Sequence, residues 1–144
     1  MAPPEMVPTA APGVSVRFRP MRGPVEEPAV SAEVYLGRRA VGNVDAMFDP
    51  KVEAFVVRFA HIEQSVQGKG IGAAVYGALR DYVRRVHGKP LASDSKRSDA
   101  AEKLWGRMSQ SGKARHVQSP GERGGYYVTD SIWRTLASIM MEAK

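Results

Sequence analysis

Residues 54–87 read AFVVRFAHIEQSVQGKGIGAAVYGALRDYVRRVH, and the spacing of the apolar positions changes inside this one stretch. Over residues 52–63 the middle of the run is apolar on both faces. Ala54 and Val56 point one way, and Phe55, Val57 and Phe59 the other. That pattern predicts a central strand covered on both sides. From Ile71 the period becomes helical, with Ile71, Val75, Ala78, Leu79, Tyr82, Val83 and Val86 on one face and Gly88 as the stop. Between strand and helix lies QGKGIG, residues 67–72.

A strand that runs through glycines into a helix makes an anion site for physical reasons. The first turn of a helix leaves backbone N–H groups without acceptors, and the helix dipole favours negative charge there. Glycines allow positive φ and close approach of the backbone to an anion, and Lys69 adds a mobile charge at the rim. A nucleotide P-loop is excluded, because Gly70 and Ile71 follow the lysine where Ser or Thr would hold a metal ion. A dinucleotide fingerprint fits poorly, since the third glycine of Gly68, Gly70 and Gly72 comes one residue early. On the glycines alone, a tight turn that merely lets helix and strand pack closely stays open beside the phosphate reading.

The chain has 144 residues, enough for one domain with a proper core, and 43% hydrophobic and 25% charged residues are ordinary for a globular protein. Without cysteine there are neither disulfides nor thiolate metal sites, and His61, His87 and His116 make no metal-ligand spacing. MAPPEMVPTAAPG, with prolines at 3, 4, 8 and 12, lacks the apolar core of a signal peptide, and no stretch reaches transmembrane length. Residues 1–14 read as a disordered or loosely tethered arm, residues 15–144 as a single domain, and the location as cytoplasmic. The net charge of +6 suits a polyanion: a nucleotide-containing cofactor, an acidic partner or nucleic acid. Nucleic-acid binding has only this charge behind it, since few aromatic residues sit among the basic ones.

Elsewhere, VSVRFR (14–19) alternates as a half-exposed strand and PMRGPVEEP (20–28) reads as a loop. AEVYLGRRAVGNVDAMFD predicts a hairpin turning around Gly37, Arg38 and Arg39. PLASD (90–94) predicts a short strand. Ser98 caps a second helix whose buried stripe is Ala101, Leu104, Trp105 and Met108, with Gly112 ending it. A last strand at 126–128 and a final helix burying Ile132, Trp133, Leu136, Ile139 and Met140 complete the order. The fold class is therefore α/β, a mixed central sheet of about six to seven strands flanked by helices.

Gln67-x-x-Gly70-x-Gly72 resembles the Q/R-x-x-G-x-G/A signature of the GNAT superfamily, which transfers acyl groups from coenzyme A to amines. Ser98-x-x-Ala101-x-x-Leu104-Trp105 resembles the family's second block, commonly N-x-x-A-x-x-L-Y followed by a glycine, near which Gly112 falls. The resemblance covers residues 30–112. Only PMRGPVEEPAVS stands where the family usually has one or two helices, so the N-terminal helices are reduced or absent and the acceptor face is open or covered by a second subunit. The short chain and the form of its second block resemble compact members encoded by bacteriophages.

What the resemblance implies is an acetyl-CoA-dependent N-acetyltransferase. The pyrophosphate of coenzyme A would sit on the amides of Gln67, Gly68, Lys69, Gly70, Ile71 and Gly72, and the pantetheine arm would lie along Ile62 and Glu63. Ser98 would bond to the cofactor, and no metal is implied. An open acceptor face suits a protein or another large amine, attacked directly in a ternary complex. The family's strand position for a general base falls on Val56 and Arg58, neither of which is one. His61 and Glu63 are then the candidate bases, with a structural role for His61 as the alternative. Trp105 replaces the usual acid tyrosine, leaving Tyr126 or Tyr127 as candidate donor. The missing base also supports a second reading, a catalytically weak or inactive protein of this fold that acts by docking on a partner. A phage protein that modulates a host target is one form of it.

Overall fold

A computed structural model of the chain describes residues 6–22, 27–68, 70–94, 96–117 and 125–129. In chain order the elements are β1 (Val7–Pro8), β2 (Val14–Arg22), β3 (Pro28–Leu36), β4 (Arg39–Asp49), β5 (Ala54–Ile62), α1 (Ile71–His87), β6 (Leu91–Ser93), α2 (Asp99–Gln110), β7 (Arg115–Val117) and β8 (Tyr126–Val128). The eight strands form one sheet in the order β1-β2-β3-β4-β5-β6-β8-β7. β5 and β6 are parallel and joined through α1, as a parallel pair requires a crossover; every other pairing is antiparallel.

Eight strands replace the six to seven expected, and the two extra ones are short. β1 lies in the segment expected as a loose arm, where Val7 pairs with Val16 and Pro8 with Ser15, so from Met6 onward that expectation gives way to a defined course. β7 is a three-residue strand against β8, too short to leave a pattern in the sequence. The loop expected over 20–28 is shorter, because β2 continues to Arg22 and β3 starts at Pro28. β1 covers only the start of β2, so Pro20 sits on an edge where its missing N–H costs no ladder bond. The final helix expected to bury Ile132, Trp133, Leu136, Ile139 and Met140 lies outside the described residues.

Both helices pack on one face of the sheet. Val75, Leu79 and Val83 of α1 and Leu104, Trp105 and Met108 of α2 join Phe55 and Val57 in a single core. Ala54 and Val56 are buried in a smaller cluster with Ala92 and Val128. The two-faced pattern of this strand thus holds as far as Val57. Val86, expected inward, is 51% exposed at the end of α1. Gly88 closes that helix in the left-handed conformation, φ 66°, returning its N–H to the carbonyls of Arg84 and Val83.

Beyond Val57 the strand changes face. Val57 pairs with Ala46, but Phe59 pairs with Asp45, so Arg58 is an additional residue on β5. Such a bulge reverses the alternation. Ala60 and Ile62 pair with Val44 and Gly42 and take the helix-facing side, whereas Phe59, expected to follow Phe55 and Val57 inward, is 53% exposed. Arg58 bridges Asp49 at 3.0 Å and Asp94 at 3.2 Å. Among the described residues no helix is long and apolar enough to cross a membrane.

Candidate functional site

β6 pairs with β5 only from Phe55 to Val57 and then stops at Ser93, while β5 runs on to Ile62. The two strands therefore part just where the bulge lies. A groove of about 550 Å³ occupies the opening. Val44, Ala60 and Ile62 line it from the sheet, Gly70, Ile71, Gly72, Ala73 and Tyr76 from the start of α1, and Ser98, Ala101, Lys103, Leu104 and Arg107 from α2. Gln67 and Gly68 close the loop end.

The loop is built without a side chain across the helix start. After β5, a 3-10 turn (Gln64–Val66) buries Val66, and Gln67 donates its side-chain amide to the Ile62 carbonyl at 2.7 Å. Gln67 of the signature thus braces the turn. Gly68 and Gly70 have φ of 84° and 75°, the left-handed region that a β-carbon disfavours. Gly70 is the N-cap of α1 and offers no side-chain acceptor, and no acid lies in the first turn. The first helical bond runs from Ala74 to the Gly70 carbonyl at 3.1 Å, so the amides of Ile71, Gly72 and Ala73 precede the helical ladder at its positive end.

Across the groove, Lys103 and Arg107 stand one helical turn apart on α2. No carboxylate is among the described lining residues. Amide donors, a helix dipole and two cations, with no acid among the described lining residues, make a wall that suits an anion. The sheet side, by contrast, is apolar. A β-carbon on Gly72 would sit 3.5 Å from Leu104 Cδ2, an ordinary contact, so α2 does not require glycine there.

α2 is held in place by a polar clasp. The Ser98 hydroxyl caps the helix by accepting from the Ala101 amide at 3.2 Å. The Arg97 guanidinium, only 7% exposed, donates to Ser93 Oγ, the Asp94 carbonyl and the Gly125 carbonyl, and its Nε pairs with Glu102. Tyr127 donates its hydroxyl to Glu102 at 2.9 Å, beneath the Arg97 plane. The bond from Arg97 holds the Glu102 carboxyl below its ordinary range, with Tyr127 adding to it. Partial burial, together with Glu102, raises the Tyr127 phenol.

The candidate residues separate into two sets. Ile62, Gln67, Gly68, Gly70, Ile71, Gly72 and Ser98 are brought to one groove. Lys69 lies outside the described residues. His61, Glu63 and Tyr126 are not among the residues that line it. The bulge puts His61, paired with Asn43, on the face of Phe59, away from Ala60 and Ile62. Glu63 is held by Arg39 at 2.8 Å, and Tyr126 packs on the smaller cluster. Sequence reasoning missed Tyr76, Lys103 and Arg107 as lining residues. None of the three stood out in the sequence; their position relative to the glycine loop was the only signal.

No protein-family model matches the chain, and no curated protein matches its sequence. Among solved structures it is similar to an acetyltransferase from Thermus thermophilus, at 22% identity and a TM-score of 0.52. The likeness shows the fold. It covers 72% of this chain, and the chain spans only 64% of that protein's length. A protein of unknown function from Aquifex aeolicus is similar over 98% of this chain and 86% of its own, at 12% identity and a TM-score of 0.48. The fold is thus similar to that of the Thermus protein, an α/β architecture whose sheet here has a groove where its parallel strands part.

Proposed function

We propose that the chain is an acetyl-CoA-dependent N-acyltransferase acting on an amine of a protein or another large acceptor. The observation that carries this reading is the acid-free groove, in which the uncapped start of α1 faces Lys103 and Arg107 beside the parted edge of β5. The donor set fits coenzyme A. The amides of Ile71, Gly72 and Ala73 would take the pyrophosphate, Lys103 and Arg107 the remaining phosphate charge, and the free edge of β5 near Ile62 the amides of the pantetheine arm. When bound, the thioester supplies an activated acyl carbon.

The protein's own part is positioning and electrostatics. Holding the acyl carbon at the mouth of the parted strands turns a bimolecular attack into an oriented one, which is the larger share of what such a transfer requires. No carboxylate or imidazole lines the groove among the described residues, so the acceptor amine has to arrive neutral or lose its proton to water. An α-amine, with a pKa of about 7.7–8.0, meets that condition at neutral pH far more often than a lysine at about 10.4. Among the described residues no helix stands between β2 and β3, which suits a large acceptor.

A second reading is favoured by the placement of His61 and Glu63 outside the groove lining: a protein of this fold that binds coenzyme A and docks on a partner without transfer. Thermal melting with acetyl-CoA tests what both readings share. At a hundredfold excess over the dissociation constant the ligand stabilises the fold by about 2.7 kcal/mol, a rise of several degrees. Incubating host lysate with the protein and labelled acetyl-CoA, then mapping acetylated sites by mass spectrometry, separates enzyme from binder. No melting shift at high excess would sink both readings, and salt-sensitive retention on duplex DNA would revive nucleic-acid binding.

A further inference from the structure

Tyr76 is the one described residue of the groove that combines deep burial with an unused donor. The residue is 4% exposed, lines the groove one turn beyond the helix start, and its ring packs at a tilt on Trp105 with centroids 5.6 Å apart. The hydroxyl makes no hydrogen bond to any described residue. No described side-chain oxygen or nitrogen that is wholly enclosed lacks a partner, so this hydroxyl is not wholly enclosed, and Tyr76 lines the groove. The other described polar groups of the lining are engaged or exposed. Gln67 donates to Ile62, Ser98 caps α2, and Lys103 and Arg107 are on the surface. A donor that reaches solvent but has no protein partner is free to meet a ligand, while the packed ring fixes its direction. Val44, Ile71 and Leu104 of the same lining are apolar, which suits a neutral acceptor better than a phosphate oxygen.

We propose that the Tyr76 hydroxyl donates a hydrogen bond to the carbonyl oxygen of the acyl thioester held in this groove. The proposal rests on the coenzyme A reading of the groove. Negative charge collects on that oxygen as the amine attacks, and the bond strengthens as it does so. Burial pushes the phenol up to about 12, well above a thiol at about 8.5. Tyr76 therefore keeps its proton and acts as a donor to the oxygen; it is not the acid that protonates the leaving sulfur. Trp105, in the place where the related family has its acid tyrosine, holds the ring of Tyr76.

The test compares the wild type with Tyr76→Phe, which keeps the ring and its packing on Trp105, using coenzyme A and acetyl-CoA as separate ligands in calorimetry. The expected result is unchanged affinity for coenzyme A and about fivefold weaker binding of acetyl-CoA, the size of one net hydrogen bond. Infrared difference spectra with acetyl-CoA labelled at the carbonyl carbon should show the stretch lowered in the wild type and restored in the variant. Equal losses for both ligands, or no loss for acetyl-CoA, overturn the assignment, as does an unshifted stretch in the wild type. A wild type that binds neither ligand overturns the coenzyme A reading and the assignment together; one that binds both with no difference in the variant overturns the assignment alone.

Discussion

Gly42 lies directly beneath the backbone of His61: a β-carbon on it would stand 2.1 Å from the His61 carbonyl oxygen and 2.9 Å from Ile62 Cα. Glycine is required there for close approach, since neither obstacle is a side chain that can turn away. Gly42→Ala must push β4 from β5 at the wall of the groove. The expected cost is about 1–3 kcal/mol, the range for overpacking, read as a lower urea midpoint. Binding of acetyl-CoA should weaken as well, because Ile62 moves.

Gly70 tests the loop without that steric conflict. Its φ is 75°, yet a β-carbon would meet nothing within 4 Å. Gly70→Ala should cost about 1–2 kcal/mol from the left-handed backbone alone and retain the fold. Gly70→Val should remove the acetyl-CoA-induced rise in melting temperature, since a branched side chain at the helix start obstructs the amides of Ile71 and Gly72.

Charge reversal across the groove is a second probe of the anion wall. Lys103→Glu together with Arg107→Glu should lower affinity for acetyl-CoA at least roughly tenfold at low salt and leave the melting temperature of the free protein nearly unchanged, as both side chains are exposed. The wild-type affinity should fall with added salt, and the double variant should show little of that dependence in a titration from about 50 to 300 mM.

The clasp at α2 carries a pH signature. Arg97 holds the Glu102 carboxyl below its ordinary range. A folded-state pKa below the unfolded one contributes stability that is complete above about pH 4.3 and is lost as pH falls through the folded value. The melting temperature should therefore drop with acid below about pH 4.3, and Glu102→Gln should flatten that part of the profile. Above about pH 5 the two proteins should run parallel, displaced by the lost pair with Arg97 and Tyr127.

Transfer to a model peptide bearing one free α-amine should rise with pH and level off above about 8, the pKa of the amine itself. A profile with its midpoint at about 6.5 would show an imidazole acting as base. That result would bring His61 back, against its placement on the far face of β5.

Much of the architecture was legible because local chemistry settles it. Gly88 and Ser98 terminate and start helices through their own backbone and hydroxyl, and Val128 and Leu91 belong to apolar runs bounded by turn residues. β1 and β7 were illegible because two or three residues do not establish a period, and pairing with a neighbour is what makes them strands.

For the site, the glycines by themselves determined a helix start that carries positive φ at Gly68 and Gly70 and has no side-chain cap. Only the tertiary structure decided what shares the groove with it. Alternation carried along β5 puts His61 with Val57 and Phe59, but one extra residue at Arg58 reverses every side chain that follows. That bulge is visible only in the pairing of β5 with β4, which no single strand records. Tyr76, Lys103 and Arg107 came to the loop in the same way, through the packing of two helices on one face of the sheet.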